Sequence, residues 1–529
     1  MLKVVFLLLG LSYLSPNSFL PWQNVIQDFF AILALLLLTI TKFFNKNIQI
    51  NRNILFIYLF ICLIPLTQFL FNILFFKQEL YLSVLYISIF FLSIFHGLNF
   101  KESLGEFTNF CLFFVGIGIA CVFIQIIQWA NTYFSPFILE SNYLRPSANL
   151  GQPNNLATLL FICFFSNLYI YKNKKNHIYI YVIINIVLIF GIVLTQSRTS
   201  WVVFITLVIL SYFKKELKLF KITILNFILF FILVLVIPYL SLLYHGKGLT
   251  VIERINSDYS RLDIWKQVII AIANKPWIGY GWNQTSVAQT EISLKYPISI
   301  WIEYSHNLFL DLLIWNGFPL GLFIITLIVK WIFDNLIKIQ TQNELIIFFM
   351  IIPFFIHCMF EFPFAYAYFL IPIGFFVGVL NREKFGNNFR LSGNQFVIFA
   401  IVILMSILVI TKEYISIKNK IEIYSTRYLV SQEVVPIESN IKILDALDLN
   451  SDILYLNDCY LLKNSDLKNI KNIFYRYPSN KNLAIYYKLA RYKKSKISES
   501  SKYMNWKYPS FNEKLSKKYN CNYISDMKL

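Results

Sequence analysis

The sequence predicts an all-α, polytopic membrane protein with about 13 transmembrane helices, a long outward-facing loop and a C-terminal helical soluble domain. Of the 529 residues, 57% are hydrophobic and only 14% are charged, whereas soluble domains carry about 25% charged residues. The apolar runs are also too long and too closely spaced for a series of soluble domains. The net charge of +19 would suggest nucleic-acid binding in a soluble protein. Here the basic residues fall mostly in short loops between apolar runs, where they set topology, so no nucleic-acid partner is expected.

Each apolar run predicts one helix. The predicted helices cover approximately residues 2–14, 22–41, 53–76, 78–97, 107–129, 155–171, 178–196, 200–213, 222–243, 306–330, 345–361, 364–380 and 395–411. Several, notably the first and the eighth, are shorter than the roughly 20 residues that a perpendicular span needs. The first run follows Lys3 in the manner of a signal peptide, but no Ala-x-Ala-like cleavage site follows it. We therefore expect it to be retained.

The basic residues predict the orientation of these helices. Loops that alternate to one side hold nearly all of them: Lys42, Lys46, Arg52, Lys172, Lys174, Lys175, Lys214, Lys215, Lys218, Lys221, Arg382, Lys384 and Arg390. Short loops on the other side hold few beyond Lys77, Arg145 and Arg198. By the positive-inside rule the first side is cytoplasmic, which places the N-terminus inside and the C-terminal tail outside. Arg145 and Arg198 then have no role in topology.

Two long segments face outward in this topology. The loop at about 244–305 contains apolar residues at helical spacing from 258 to 273, which indicates an amphipathic helix on the membrane face. The segment 413–529 has normal charge content and a helical pattern broken by prolines. We expect it to be a soluble helical domain that follows a transmembrane domain at 1–412.

Two cysteines of the C-terminal segment, Cys459 and Cys521, would face an oxidising compartment in this topology. A disulfide bond between them is one expectation, and two free thiols is the other. The remaining five cysteines lie in apolar runs, where packing explains them.

Polar residues gather in five segments, all at the outer ends of their helices. These segments are 144–155, 195–200, 260–265, 305–310 and 357–363. Thirteen helices could scatter such residues over both faces. Their collection at one face therefore predicts a single site at the outer membrane surface.

Three arginines face this compartment: Arg145, Arg198 and Arg261. Together they predict a clamp for a phosphate or diphosphate, because guanidinium offers bidentate hydrogen bonds to such groups. Each also has a simpler interpretation. Arg198 would extend to lipid head groups, Arg145 would bind backbone carbonyls, and Arg261 would bind anionic lipid.

His306 lies at the mouth of the predicted helix 306–330, with Glu303 one helical turn before it. Beside the arginines it is a candidate general base, because imidazole titrates near neutral pH. A structural histidine is the alternative. His357 and Glu361 are four residues apart and hence on one helix face. They either bind acceptor or sugar hydroxyls or form a pair that orients the helix end.

The outer side contains no His-Glu-x-x-His, Cys-x-x-Cys or Asp-x-Asp cluster, and no Walker or Rossmann glycine pattern appears. Neither a metal site nor a cofactor is therefore expected. A substrate that is already activated on a lipid carrier would remove the need for both.

Five segments in order resemble the O-antigen ligase and polymerase superfamily. They are 145–154 (RPSANLGQPN), 195–199 (TQSRT), 279–284 (GYGWNQ), 305–317 (SHNLFLDLLIWNG) and 357–368 (HCMFEFPFAYAY). More narrowly, the chain looks like the bacterial protein O-oligosaccharyltransferase branch, which glycosylates pilins and other exported proteins.

The resemblance implies transfer of a preassembled oligosaccharide from undecaprenyl diphosphate to a Ser or Thr hydroxyl, at the periplasmic side of the inner membrane. The residue matching His306 is essential in the family, and residues matching Arg198 and Arg261 hold the diphosphate. Gln152 and Asn154 match a family loop, and Tyr366 belongs to the last motif; with Arg145, Glu303, His357 and Glu361 they are candidate substrate-binding residues.

Three other functions remain open at this stage. An O-antigen ligase or a glycan polymerase would use a sugar acceptor, and the outward C-terminal segment favours a protein acceptor over both. A transporter of lipid-linked sugars would need polar residues near the bilayer midplane, whereas here the predicted spans are nearly uncharged.

Overall fold

The computed structural model describes residues 2–16, 22–100, 104–131, 135–140, 144–174, 178–245, 260–298, 300–382, 388–431, 436–437, 439–493 and 500–503. In chain order the elements are α1 (Leu2–Leu14), α2 (Val25–Phe43), β1 (Asn47–Asn51), α3 (Arg52–Leu70), α4 (Lys77–Leu98), α5 (Leu104–Ala130), α6 (Pro153–Lys174), α7 (Ile178–Leu194), α8 (Arg198–Phe213), α9 (Phe220–His245), α10 (Ser260–Asn274), α11 (Thr285–Ile292), α12 (Leu308–Lys338), α13 (Gln342–Cys358), α14 (Ala367–Asn381), β2 (Asn388–Ser392), α15 (Gly393–Ser431), α16 (Asp445–Tyr455), α17 (Asp458–Asn464), α18 (Leu467–Arg476) and α19 (Asn480–Tyr492).

The prediction of an all-α membrane protein is confirmed. The described residues form eight helices that are long and apolar enough to cross a membrane, and five shorter apolar helices. Together these occupy all the predicted positions. The main difference in length is α15, which continues to Ser431 rather than ending near residue 411. Its sequence becomes amphipathic beyond that point, and an amphipathic helix continues in water as readily as an apolar one does in lipid.

The centre of the helix bundle is formed by α4, α6, α13 and α14. In the most apolar stretch of α6, 89% of the residues are buried inside the protein, against 17% in the corresponding stretch of α3. Glycines let α4 and α14 approach closely: a Cβ on Gly378 would lie 2.2 Å from the carbonyl oxygen of Ile94. Small residues at such contacts are typical of membrane helix packing, where van der Waals contact supplies the stabilisation.

Loops that the positive-inside rule assigns to the cytoplasmic side contact one another. Strands β1 and β2 pair antiparallel, with Asn47 opposite Ser392. The Lys214 ammonium group donates to the carbonyl oxygens of Ile337 and Ile339, at 3.1 Å each. The loops therefore share one end of the bundle, and which side of the membrane that end faces stays a prediction. The two strands were not predicted, because five residues beside a helix carry too little pattern.

The loop between α9 and α12 contains the predicted helix 258–273, which is confirmed as α10. Helix α11 was not predicted. Between α10 and α11, the backbone turns through Gly279 (φ 72°) against a break in α12 at Gly317 (φ 71°, ψ 178°). A Cβ on Gly279 would lie 2.6 Å from the amide nitrogen of Gly317. Two glycines therefore allow this loop to pack backbone to backbone on α12.

Helices α16 to α19 lie in the segment 413–529 and are anchored to the bundle. The Glu413 carboxylate on α15 accepts hydrogen bonds from the backbone of Lys442, Ile443 and Leu444, at 2.9–3.0 Å. Buried Lys420 donates to Asp448 on α16, at 2.8 Å. Because α15 spans the predicted boundary between residues 412 and 413 without a break, the division into two domains stays a prediction.

Cys459 lies in α17 and is disulfide-bonded. Cys521 lies outside the described residues. The disulfide between these two cysteines therefore stays a prediction.

Candidate active site

Four of the five polar segments meet at one carboxylate, that of Glu361. His306 Nδ1 lies 2.6 Å from Glu361 Oε2. Arg261 Nη2 donates to Glu361 Oε1, and Asn154 Nδ2 donates to the same oxygen at 3.3 Å. These residues come from α10, from α6 and from the segment before α12. The site is therefore built by tertiary contacts among distant parts of the chain.

Glu361 lies in the turn between α13 and α14. Helix α13 ends at Cys358, and the Glu361 amide donates to the His357 carbonyl at 2.9 Å, so the turn is tight. The Glu361 side chain is 10% exposed. Burial raises the pKa of its carboxyl, but the hydrogen bond to His306 and the charges of His306 and Arg261 outweigh burial and hold that pKa below its usual value. Glu361 therefore remains a carboxylate at neutral pH.

His306 precedes α12 in an unusual backbone conformation. Its φ is 59°, in the left-handed region that residues with a Cβ rarely occupy. Helix α12 begins only at Leu308, so the expectation that Glu303 lies one helical turn before His306 is wrong. The imidazole is 24% exposed. With Nδ1 donating to the Glu361 carboxylate, Nε2 is the proton acceptor, and it has no hydrogen-bond partner among the described residues.

Residues on both sides of His306 fix this conformation. The Ser305 amide donates to Asp311 at 2.9 Å, and the Ser305 carbonyl accepts from the Trp265 indole at 3.0 Å. Asn307 caps α12 by accepting from the amides of Phe309 and Leu310, at 3.0 and 3.1 Å. Bonds of this kind hold a strained residue in place.

Asn307 also connects His306 to the turn that carries Glu361. Its Nδ2 atom donates to the Met359 carbonyl at 3.2 Å. We expect Asn307→Ala to cost about 1 kcal/mol of unfolding free energy through the lost cap. Because His306 and Glu361 also lose a link, we expect the rate of the catalysed reaction to fall about tenfold or more. Thermal unfolding and initial rates of the purified protein measure the two effects.

Asn51→Ala is a matched control. Asn51 caps α3 at the other end of the bundle with the same geometry, accepting from the amides of Asn53 and Ile54 at 3.0 and 3.2 Å. It should cost similar stability and leave the rate within about twofold. Equal rates for the two variants would contradict a positioning role for Asn307.

Glu303, predicted to bind substrate, pairs with Arg476 of α18, and its role in binding stays a prediction. Arg476 Nη2 donates to Glu303 at 2.8 Å, Nε donates to Glu79 of α4 at 3.0 Å, and Nη1 donates to Ser286 at 3.0 Å. The Arg476 side chain is 6% exposed. Arg476 thus joins the C-terminal helices to α4 and to the segment that leads to His306.

The other candidate residues of the 144–155 and 195–200 segments lie outside the Glu361 cluster. Arg198 is the first residue of α8, is exposed and forms no hydrogen bond or ion pair in the part of the chain that the structure describes. Arg145 is half-buried. The two segments touch where Gln196 donates to the Leu144 carbonyl at 2.9 Å. Gln152 accepts from the Asn155 amide at 2.7 Å, at the start of α6.

His357 and Tyr366 lie on either side of Glu361. The His357 side chain is fully buried, with Nδ1 2.8 Å from the Thr158 hydroxyl, so the structure does not bring it to the exposed part of the cluster. Tyr366 is half-buried and stacks on Tyr368, with 5.2 Å between ring centroids.

Several residues that shape the site were missed by the sequence reasoning. Aromatic rings flank His306. The ring centroids of His306 and Phe362 are 5.2 Å apart, and Tyr304 stacks on Phe362 with 4.9 Å between ring centroids. Asn307 and Asp311 lie inside the quoted 305–317 motif, where a cap residue and a carboxylate near a helix start were visible signals. No sequence pattern pointed to Arg476, because the residues it contacts are distant in sequence.

This arrangement suits transfer of a group to a hydroxyl. A partly exposed imidazole whose orientation is fixed by a carboxylate takes a proton from a hydroxyl. Arginines at the same end of the bundle stabilise a departing anion. The aromatic rings beside His306 suit the apolar faces of a sugar.

Comparison with known proteins agrees with this chemistry. A family model described as O-antigen ligase matches residues 156–325, and one described as virulence factor membrane-bound polymerase, C-terminal, matches residues 345–445. The chain is 33% identical over 494 residues to the ComP-specific O-oligosaccharyltransferase of Acinetobacter baylyi, covering 91% of this chain and 90% of that protein. It is 30% identical over 400 residues to the General O-oligosaccharyltransferase of the same organism, covering 72% and 70%.

Fold, site and family models together define the class, which is a multi-pass membrane glycosyltransferase. Within it, the chain belongs to the bacterial protein O-oligosaccharyltransferase family of the O-antigen ligase superfamily, which confirms the resemblance seen in the sequence. The chain is therefore an enzyme, and the activity of its family is O-glycosylation of proteins.

Proposed function

We propose that this enzyme transfers a preassembled oligosaccharide from undecaprenyl diphosphate to Ser or Thr hydroxyls of exported proteins such as pilins. The reaction takes place at the periplasmic face of the inner membrane, where the C-terminal helices also lie. The observation that carries the proposal is the contact of His306 and Arg261 with the single carboxylate of Glu361. It combines a proton acceptor with a cation at the end of the bundle where the polar segments meet.

His306 Nε2 removes the proton of the acceptor hydroxyl, and the hydroxyl oxygen attacks the anomeric carbon. Glu361 orients the imidazole through Nδ1 and stabilises the imidazolium that forms. The remaining donors of Arg261, with Arg198 and Arg145, bind the departing lipid diphosphate. Displacement from the opposite face, without a covalent sugar–enzyme intermediate, inverts the anomeric centre.

The length of the helices beneath the site supports a lipid-linked donor. Helices α13 and α14 have 17 and 15 residues, which at 1.5 Å per residue gives about 25 and 22 Å. The hydrocarbon core of a bilayer is about 30 Å thick. Helices of this length suit a turn close to the lipid head groups, where the diphosphate of a lipid carrier lies.

The nature of the acceptor separates this proposal from its closest alternative, a ligase or polymerase with a sugar acceptor. Helices α16 to α19 favour a protein acceptor, because Arg476 ties them to the segment that carries His306. A folded module beside the reactive group is suited to holding a folded protein.

Because arginines supply the positive charge in this mechanism, we expect the reaction not to require a metal ion. The described residues contain no group of three His, Cys, Asp or Glu side chains arranged to hold one. Purified enzyme assayed with EDTA should keep its full rate, and added Mg²⁺ or Mn²⁺ should change that rate less than twofold. Loss of activity with EDTA that a divalent cation restores would contradict the arginine mechanism.

The function itself is tested by the intact masses of periplasmic proteins from cells with and without this chain. We expect mass additions of whole oligosaccharides on Ser or Thr that depend on the chain. Unmodified proteins in both strains, together with a change in surface polysaccharide, would instead establish the ligase or polymerase function.

A further inference from the structure

A cavity of about 390 Å³ lies beside the active site, between the loop helices and the C-terminal helices. One wall is formed by α10, by α11 and by five residues that follow α11: Ser293, Pro297, Ile298, Ile300 and Trp301. The opposite wall is formed by Phe474 of α18 and by Pro478, which follows it. Its volume lies within the range of about 300–1,000 Å³ that is typical of ligand sites.

The cavity combines an apolar rim with a polar interior. At the rim, Ile300 and Trp301 expose 46% and 45% of their surface. Inside, Gln267 is 1% exposed, and its Oε1 atom is buried without a hydrogen-bond partner. Such an atom costs free energy unless a ligand donates a hydrogen bond to it. The orphan oxygen therefore points to a ligand that carries an N–H or O–H group.

The glutamines of the cavity also fix its shape. Gln267 Nε2 donates to the Tyr296 carbonyl at 2.6 Å. Gln289 donates to the Ile300 carbonyl at 2.7 Å and accepts from the Ile302 amide at 2.9 Å. Tyr296, Ile300 and Ile302 are thus held in place before any ligand binds, which lowers the entropic cost of binding.

Both walls of the cavity continue into the active site. The segment 297–301 leads through Glu303 to His306 within a few residues. On the other wall, Phe474 and Pro478 flank Arg476, which pairs with Glu303 at 2.8 Å. A chain bound in the cavity would therefore lie next to the segment that presents the imidazole.

We propose that this cavity binds a short extended segment of the acceptor polypeptide, close to the Ser or Thr that receives the glycan. An apolar side chain of that segment packs against Trp301 and Phe474, and a backbone N–H donates to Gln267 Oε1. This inference rests on the proposed function, since it requires a protein acceptor. A lipid tail would satisfy the apolar rim but leave the Gln267 oxygen without a donor.

The test uses full-length enzyme, lipid-linked donor and a synthetic peptide that spans the glycosylated residue found by intact mass. Ile298→Trp fills the cavity, and Trp301→Ala removes part of its rim. Ile278→Trp is the control, because Ile278 is 61% exposed on the neighbouring loop and does not line the cavity. We expect both cavity variants to raise the KM for the peptide about tenfold without changing kcat or the KM for the donor.

A photo-crosslinking amino acid gives a second readout that does not depend on a folding defect. Placed at Ile300 it should crosslink to the peptide, and placed at Ile278 it should not. Unchanged KM values in both cavity variants, or crosslinks from Ile300 to lipid alone, would overturn the inference while leaving transfer intact. Absence of any transfer to peptide or protein by the unaltered enzyme would instead refute the proposed function, and the inference with it.

Discussion

His306→Ala is expected to reduce oligosaccharide transfer about 10³-fold or more, while the protein still inserts and folds. General base catalysis contributes about 10²- to 10⁴-fold, and alanine also removes the group that Glu361 orients. His306 Nδ1 lies 2.6 Å from the Glu361 carboxylate, and the imidazole is 24% exposed. Initial rates with purified enzyme at equal membrane abundance measure the effect, and glycan occupancy by intact mass reports it in cells.

Two further variants define the cause of that loss. His306→Gln keeps a donor to Glu361 but has no basic nitrogen, so it should be nearly as inactive as alanine. His96→Gln is the matched control, because His96 is a buried histidine at the opposite end of the bundle, 2.8 Å from the Thr39 hydroxyl. It should transfer at close to the unaltered rate. Full activity of His306→Gln would show that the residue positions other groups and does not take the proton.

The positions of the membrane helices could be predicted because lipid imposes a simple requirement on each span. Backbone groups must be satisfied within the helix, and side chains must be apolar. Helices as short as α14, with 15 residues, still appear in the hydropathy pattern. The strands β1 and β2 could not be predicted, because their pairing joins residues 47–51 to 388–392 and no local pattern records that contact.

The location of the site could also be predicted in part. Polar residues at one end of apolar helices have few other roles, and the segments that hold Asn154, Arg261, His306 and Glu361 do meet. The sequence did not reveal that Glu361 lies at their centre. Whether a carboxylate receives one partner or three depends on side-chain directions in four different elements.

Glu303 is a second residue whose contacts could not be predicted from the sequence. Its three-residue spacing from His306 suggested one helical turn, but the positive φ of His306 ends any helix there. The side chain pairs with Arg476, 173 residues further along the chain. Spacing in sequence predicts proximity only where the local structure is known.

Glu361→Gln is expected to reduce transfer about a thousandfold, although glutamine has nearly the same shape. The amide accepts a weaker hydrogen bond from His306 and carries no charge to balance the imidazolium or Arg261. Losses of this size follow when a carboxylate that orients a catalytic imidazole is neutralised. Stability should also fall by about 1–3 kcal/mol at pH 7, because the charged hydrogen bonds at a buried carboxylate are lost. Initial rates and thermal unfolding measure the two effects.

The difference in stability between the unaltered protein and Glu361→Gln should depend on pH in a defined direction. The pKa of Glu361 is lowered in the folded protein, where the hydrogen bond to His306 and the charges of His306 and Arg261 outweigh burial. A carboxyl of this kind stabilises the fold at any pH above its unfolded pKa of about 4.3, and that contribution disappears as the pH falls through the lower folded value. The unaltered protein and Glu361→Gln should therefore differ most in unfolding temperature near pH 7 and converge in strong acid.

Asp334→Asn is the control, because Asp334 forms an exposed pair with Lys330 at 3.2 Å and should show almost no difference at either pH. A constant difference between the unaltered protein and Glu361→Gln across this range would mean that packing, and not the charge of Glu361, holds His306 and Arg261 together.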